Sequence, residues 1–268
     1  MQYREHPPSP DLAPFVRCFW TLKGRAEGEP ERLLPDGRTE LVIHLGDPFD
    51  RLHANGHRER QQRALFVGQL DTHVTLAPLG FISVLGACFH PDGASAFAHW
   101  PQSETAGMIL PLEDLWGSPA RSLEDAVRNA ESHDGRVPLI ENFLRRRMRR
   151  RVYDRRLRAA VELIQREPWR RITTIAESSG ATTRSLERAF LERVGCAPKT
   201  LARIARFQRV LNARETHPSW NWARAAVESG YYDQAHLIAD FRRFSGTTPA
   251  LHRDDVSAME RLFIEARR

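Results

Sequence analysis

The feature that most constrains this 268-residue chain is a self-match at a spacing of about fifty residues. Ala176-Glu-Ser-Ser-Gly180 aligns with Ala226-Val-Glu-Ser-Gly230. One extra residue in the second turn shifts the offset to 51. Leu186 then matches Leu237, Phe190 matches Phe241, and Gly195-Cys-Ala-Pro198 matches Gly246-Thr-Thr-Pro249. Each copy predicts a helix-turn-helix. Ile175 and Ala176 bury a first helix, and the small alanine lets a second helix cross closely. Gly180 ends the first helix in the left-handed conformation that glycine adopts cheaply. Thr182 or Thr183 caps the next helix, and Asp233 does so in the second copy. Leu186 and Phe190, four residues apart, give that second helix an inward stripe, as do Leu237 and Phe241. Its outward face is left to reach base edges.

A helical repeat without nucleic acid is the plainer alternative, and charge weighs against it. From Arg145 to the end the chain has 27 Lys and Arg against 14 Asp and Glu; the first 144 residues have 13 against 20. A basic half joined to an acidic half implies two domains with different partners, the basic one suited to DNA. The run Arg145-Arg-Arg-Met-Arg-Arg-Arg151 marks the junction. It reads as a solvated helix end or hinge, with DNA-backbone contact as the alternative.

The acidic half reads mostly as strand over its first hundred residues. Glu31–Leu34 and Arg38–Leu45 flank the turn residues Pro35-Asp36-Gly37. Within the second segment Leu41, Ile43 and Leu45 share one face, Val42 and His44 the other. Arg51–His53 and His57–Arg58 flank Ala54-Asn55-Gly56 as a second hairpin. Phe81–Phe89 is a longer apolar run. Such spacing predicts a barrel or sandwich. Helical patterns follow: a short helix over Ala94–Trp100, one capped by Ser122 and ending near Asp134-Gly135, and one starting near Pro138. Leu157, Ala160, Val161 and Ile164 form a further helical stripe, stopped by Pro168.

The repeat closely resembles the AraC/XylS family of bacterial regulators. The second copy, Gly230-Tyr-Tyr-Asp-Gln-Ala-His-Leu-Ile-Ala-Asp-Phe-Arg-Arg-Phe-Ser-Gly-Thr-Thr-Pro249, is similar to that family's signature. The first copy, with Ser185-Leu-Glu-Arg-Ala-Phe190 and Gly195-x-x-Pro198, resembles its partner unit. The resemblance covers about residues 153–253. It implies seven helices, with a long one at about Lys199–Glu215 joining the two units. It also implies base contacts from Arg184, Glu187 and Arg188 in the first recognition helix, and from Gln234, Ala235, His236 and Ala239 in the second. Arg suits guanine, Gln adenine and Glu cytosine. Thr183, Arg242 and Arg243 are the candidates for phosphate contact. One departure stands out: many relatives have arginine at the position of Ala239, and Ala235 likewise partners Arg184. Sequence reading is therefore expected mainly from the first unit. More faintly, Leu34-Pro-Asp-Gly37, Phe66-Val-Gly-Gln69 and Leu115-Trp-Gly117 resemble an uncharacterised subgroup of sensor domains with a cupin-like barrel.

The expected architecture is therefore α+β. Residues 1–105 form a cupin-like β-barrel sensor and 106–151 a helical extension with a basic linker. Residues 152–268 form an all-α DNA-binding domain, with units at about 172–195 and 222–246. No apolar run reaches membrane-span length and no secretion pattern opens the chain, so a cytoplasmic protein is expected. Cys18, Cys88 and Cys196 form no C-x-x-C pair and read as small buried hydrophobes. A cupin metal site would need a His-x-His pair, which is absent, and no phosphate loop or nucleophile elbow occurs. No cofactor, metal or catalytic centre is expected, and no enzyme. His44 is the candidate polar group of an effector pocket. Double-stranded DNA, a small-molecule effector, RNA polymerase and a second copy of the chain are the candidate partners. The competing readings are an enzymatic or ligand-binding barrel for which the DNA unit is only an address, and an effector-independent structural DNA binder.

Overall fold

The alternation over Leu41–Leu45 places apolar residues on both faces of one strand, so that strand must lie between two layers. The computed structural model describes residues 1–149 and 153–252 and has this arrangement. Its strands are β1 (Gln2–His6), β2 (Val16–Glu27), β3 (Glu31–Leu33), β4 (Glu40–His44), β5 (Asp50–Leu52), β6 (Arg58–Arg60), β7 (Ala64–Val67), β8 (Val74–Ala77), β9 (Leu79–Phe89) and β10 (Ile109–Pro111). A six-stranded sheet has the order β1-β2-β9-β4-β7-β10, and a four-stranded sheet the order β3-β8-β5-β6. All pairings are antiparallel. The expected barrel thus takes the form of two sheets that do not close on each other.

Leu41 and Ile43 face a core built with Phe19, Phe66, Phe89 and the helices that follow the sheets. Val42 faces a second core with Trp20, Phe49, Leu76 and Val84, between the two sheets. The predicted hairpin is β5–β6, with Arg51 opposite Glu59. All three cysteines are buried, and Cys18 lies opposite Cys88 across β2 and β9. His44 and His90 are also held in the fold. Burial lowers each imidazole to about 4, Gln61 opposing the shift at His44 and Arg158 reinforcing it at His90.

The helical extension departs from the sequence expectations in detail. Its helices are α1 (Leu112–Trp116), α2 (Ser118–Asn129) and α3 (His133–Arg145). The helix expected to be capped by Ser122 begins a turn earlier. Gly117 supplies the cap conformation and Pro119 sits in the first turn, leaving Ser122 inside α2 with its hydroxyl on the Ser118 carbonyl. α2 also ends earlier, at Asn129. Ser132 accepts from the Gly135 amide and starts α3 upstream of Pro138, which lies within it. Of the segment Ala94–Trp100 only a 3-10 turn at Gly93–Ala96 forms. Arg145, first of the basic run, is a structural residue, with its guanidinium 2.8 Å from Asp11 and 3.2 Å from Glu141. Arg150–Val152 lie outside the described residues.

The C-terminal domain follows the repeat. Its helices are α4 (Arg155–Arg166), α5 (Ile172–Ser178), α6 (Thr183–Arg193), α7 (Pro198–Thr216), α8 (Trp222–Glu228) and α9 (Gln234–Ser245). The seventh helix implied by the family resemblance would fall beyond His252, outside the described residues. Leu157, Ala160, Val161 and Ile164 join Leu186 and Phe190 in the core of the first unit. Ile204, Phe207, Leu237, Phe241 and Phe244 form that of the second.

The second core also contains Leu34, a residue of the N-terminal half, 5% exposed. The turn Leu34-Pro35-Asp36-Gly37 sits directly on α7. Gln208 donates through Nε2 to the Pro35 carbonyl at 2.6 Å. A side chain at Gly37, where φ is +81°, would meet Leu201 Cδ1 at 2.8 Å. Below the first unit, the buried Arg158 of α4 lies 3.1 Å from Asp92 and also donates to the Pro14 carbonyl.

Two stability predictions follow from these contacts. Leu34→Ala empties part of a core that belongs to the other domain and should cost about 2–4 kcal/mol. The unfolding of full-length protein, followed by calorimetry, should shift down as one transition. Second, an unfolded histidine titrates near 6.5, whereas His44 and His90 stay neutral to about 4. Stability from these sites is complete above pH ~6.5 and should be lost as pH falls from there toward 4, because only the unfolded chain takes up the protons. Urea midpoints measured across that range should slope downward, less so in His90→Gln.

Candidate DNA-binding interface

Each recognition helix is anchored by its own sequence. In the first unit Thr182 is the N-cap: its hydroxyl accepts from the Ser185 amide at 3.1 Å, and the Ser185 hydroxyl answers the Thr182 amide at 3.0 Å. Thr183 therefore opens the helix and is half-buried. In the second, Asp233 accepts from the His236 amide at 2.8 Å, which holds its carboxyl below the usual range. Gly180, Gly195, Gly230 and Gly246 all have positive φ, as the matched turns require.

With Leu186 and Phe190 turned inward, α6 leaves Arg184, Glu187 and Arg188 exposed together. On α9 the inward Leu237 and Phe241 leave Gln234, Ala235, His236 and Ala239 exposed, with Arg242 and Arg243 one turn on. The structure thus gathers the expected residues into two outward faces. His236 is not a free side chain, since its Nδ1 is 3.0 Å from Asp233. Arg243 is also engaged: it reaches the N-terminal half and pairs with Asp71 at 2.6 Å.

Other residues of this surface escape a sequence reading. Tyr231 and Tyr232 are identical neighbours, yet Tyr231 is 6% exposed and Tyr232 is 92%. Tyr231 donates its hydroxyl to Asp240 at 2.9 Å, and Arg203 of α7 pairs with the same carboxylate at 2.6 Å. Burial pushes the Tyr231 hydroxyl up. Asp240 is itself buried, and its repeat partner is Ala189, so only the second unit carries this charged lock. Tyr232 stands at the mouth of α9, its ring 6.4 Å from that of His236. Only its pairing with a buried neighbour in the signature hinted at this.

The two units are also tied to each other. Trp169, ahead of α5, packs where a side chain at Gly230 would have to go, 2.9 Å from its ring. Arg206 donates to the Pro168 carbonyl at 2.7 Å and Arg209 to that of Arg166 at 2.6 Å, both from α7.

In the N-terminal half, His44 is 1% exposed and packs edge-on to Phe49 at 4.7 Å, with Gln61 near its ring. His53 and His57 do face each other across the β5–β6 turn, 5.6 Å between rings, with His53 on Glu59 at 2.8 Å. Among the described residues no three His, Cys, Asp or Glu converge on one point, and no helix is long and apolar enough to cross a membrane.

Two separate families match the N-terminal and C-terminal parts of the chain. Residues 175–255 match a family described as a helix-turn-helix domain, and residues 4–111 a family described as a domain of unknown function, DUF6597. No curated protein matches. Among solved structures, ToxT from Vibrio cholerae is similar over 92% of this chain and 98% of its own, at 12% identity and a TM-score of 0.46. The form bound to (E)-4-(8-methylnaphthalen-1-yl)but-3-enoic acid gives 12% identity and 0.47 over the same shares. The form bound to an unsaturated fatty acid gives 14% and 0.45, over 91% of this chain and 95% of its own.

The Arg243–Asp71 pair is half-exposed and worth at most about 1 kcal/mol to the fold. Its effect should appear in binding. Asp71→Asn should leave thermal stability nearly unchanged and raise affinity for arbitrary duplex DNA several-fold, by releasing Arg243 and removing a nearby negative charge. Equal affinity in wild type and variant, measured by fluorescence anisotropy, would show that Asp71 does not restrain the interface.

Proposed function

We propose that this protein, whose C-terminal part is an AraC-type helix-turn-helix domain, is a sequence-specific DNA-binding transcription regulator of the cytoplasm, controlled through its N-terminal half by a small-molecule effector. One observation carries the reading. Two helices of a tandem repeat present Arg184, Glu187 and Arg188, and Gln234 and His236, to solvent, while their apolar stripes are fully used in two cores.

The first unit is the main sequence reader, because Arg184 and Arg188 can each take a guanine edge by two hydrogen bonds and Glu187 can accept from cytosine. The second, with Ala235 and Ala239 at the matching places, anchors. Thr183, Arg242 and, once released from Asp71, Arg243 contact phosphate. The recognition helices sit about 34 Å apart, in successive major grooves of one face of the duplex. His44, buried beside Phe49, is the proposed polar group for an effector between the sheets. An effector changes transcription by binding one arrangement of the two halves better than another. RNA polymerase and a second copy of the chain complete the proposed partners.

Selection of bound sequences from a random pool, repeated with variants, tests the assignment. Arg188→Ala should lose about 1–3 kcal/mol and relax preference at one position. Gln234→Ala should weaken binding with the preference kept; the reverse outcome would exchange the roles of the two units. Affinity should fall steeply with salt, since each neutralised phosphate releases counterions. A flat response would exclude DNA as the partner.

A further inference from the structure

The helical extension is more than a spacer. α1, α2 and α3 enclose an open groove of about 790 Å³, within the range of small-molecule sites. Its floor is apolar and aromatic, with Trp116, Leu123 and Phe143. At one end stand Arg146 and Arg147, adjacent in sequence just past the C-terminal end of α3, and His99 also lines it. Among the described residues no carboxylate lines the groove. Of the acids of α1 and α2, Glu113 pairs with Arg121 and Glu124 with Arg128, while Asp114 and Asp125 are exposed and line no part of it.

The two arginines are the unusual feature. Neither makes an ion pair among the described residues, although Arg145, beside them, has two. Arg147 lies flat on the Phe143 ring, 3.6 Å from its centre, and donates to the Phe143 carbonyl at 3.0 Å. Packing holds this guanidinium in place without neutralising it. Burial and the charge of Arg146 both disfavour its protonated form. Two like charges at the rim of an apolar groove, Arg147 packed on Phe143 and Arg146 exposed beside it, with no ion pair among the described residues, complement an anion that carries its own apolar body.

We propose that the α1–α3 groove binds an amphipathic organic anion, its aromatic or aliphatic body on Trp116, Leu123 and Phe143 and its acid group on Arg146 and Arg147. The site is separate from His44. It rests on the regulator reading only for the consequence that its occupant acts on DNA binding. The position suits that consequence: the groove ends where the chain leaves the sensor half for α4.

The probe is 8-anilinonaphthalene-1-sulfonate, an aromatic sulfonate, against N-phenyl-1-naphthylamine, which lacks the acid group. Both are titrated into full-length protein without DNA, so the outcome is independent of the DNA-binding reading. The sulfonate should bind with one saturable site at least tenfold tighter than the neutral analogue. Arg146→Gln/Arg147→Gln should erase that difference with an unchanged melting temperature. Ser122→Trp, on the exposed wall of the groove, should block both probes, while His44→Leu should block neither. Equal binding of the two probes by wild type, or sulfonate binding that survives both groove variants, would overturn the proposal. A dimer in sedimentation that Ser122→Trp dissociates, with no saturable sulfonate binding, would instead give the groove to a second copy of the chain.

Discussion

The structure depends on one interlock: a turn of the N-terminal half that completes the core of the helix-turn-helix domain. Leu34 fills a place among Ile204, Phe207 and Phe244, and Gln208 fastens the Pro35 carbonyl beside it. Because α7 links the two helix-turn-helix units, whatever sits on α7 touches both. A buried apolar contact of this kind is directional only through shape, so it tolerates little sliding. The polar contacts around it have a different character. Arg158–Asp92 is buried, and desolvation pushes the Asp92 carboxyl up even though Arg158 opposes that shift. Arg243–Asp71 is open to water and screened. The junction therefore combines a firm seat with weaker charged ties, which suits two halves that influence each other.

The two units share a plan and differ in how they are held. Both use an alanine to let helices cross and a glycine to turn. The second adds Asp240, Tyr231 and Arg203, a charged lock with every partner hydrogen-bonded. Such a lock gains little net stability after desolvation, but it fixes geometry. The first unit has Ala189 and Ala181 at those places, so its core there is apolar. Its polar ties lie at its edges: Arg193 to Asp154, and Arg206 and Arg209 of the linker helix to the Pro168 and Arg166 carbonyls.

Much of this was legible in the sequence, and the reasons are physical. Matched glycines and inward pairs at a spacing of four specify two helix-turn-helix units because local geometry leaves few alternatives. The face alternation of Leu41, Val42 and Ile43 was readable for the same reason, and the exposure of Arg184 and Arg188 followed from the burial of Leu186 and Phe190. What stayed hidden depends on contacts far apart in the chain. Leu34 looks like the end of a strand until Phe207, over 170 residues away, is placed beside it. Arg243 looks like a phosphate ligand until Asp71 appears. Ser122 has the chemistry of a cap, but Gly117 and Pro119 start the helix first. Arg146 and Arg147 look like two members of a basic run, and only the walls of α1 and α2 distinguish them from Arg145.

The tie between the units has a final consequence. Trp169 occupies the space that Gly230 leaves, and α7 holds the end of α4 and the loop after it through the Arg166 and Pro168 carbonyls. The two reading helices are therefore tandem copies held in register within one chain, not mates across a two-fold axis. A palindrome is the natural address for a symmetric dimer. A tandem pair with one arginine-rich and one alanine-bearing face has a head and a tail. Under the proposed function, the address of a single copy on DNA would be asymmetric, and the copy bound there would point one way along the duplex.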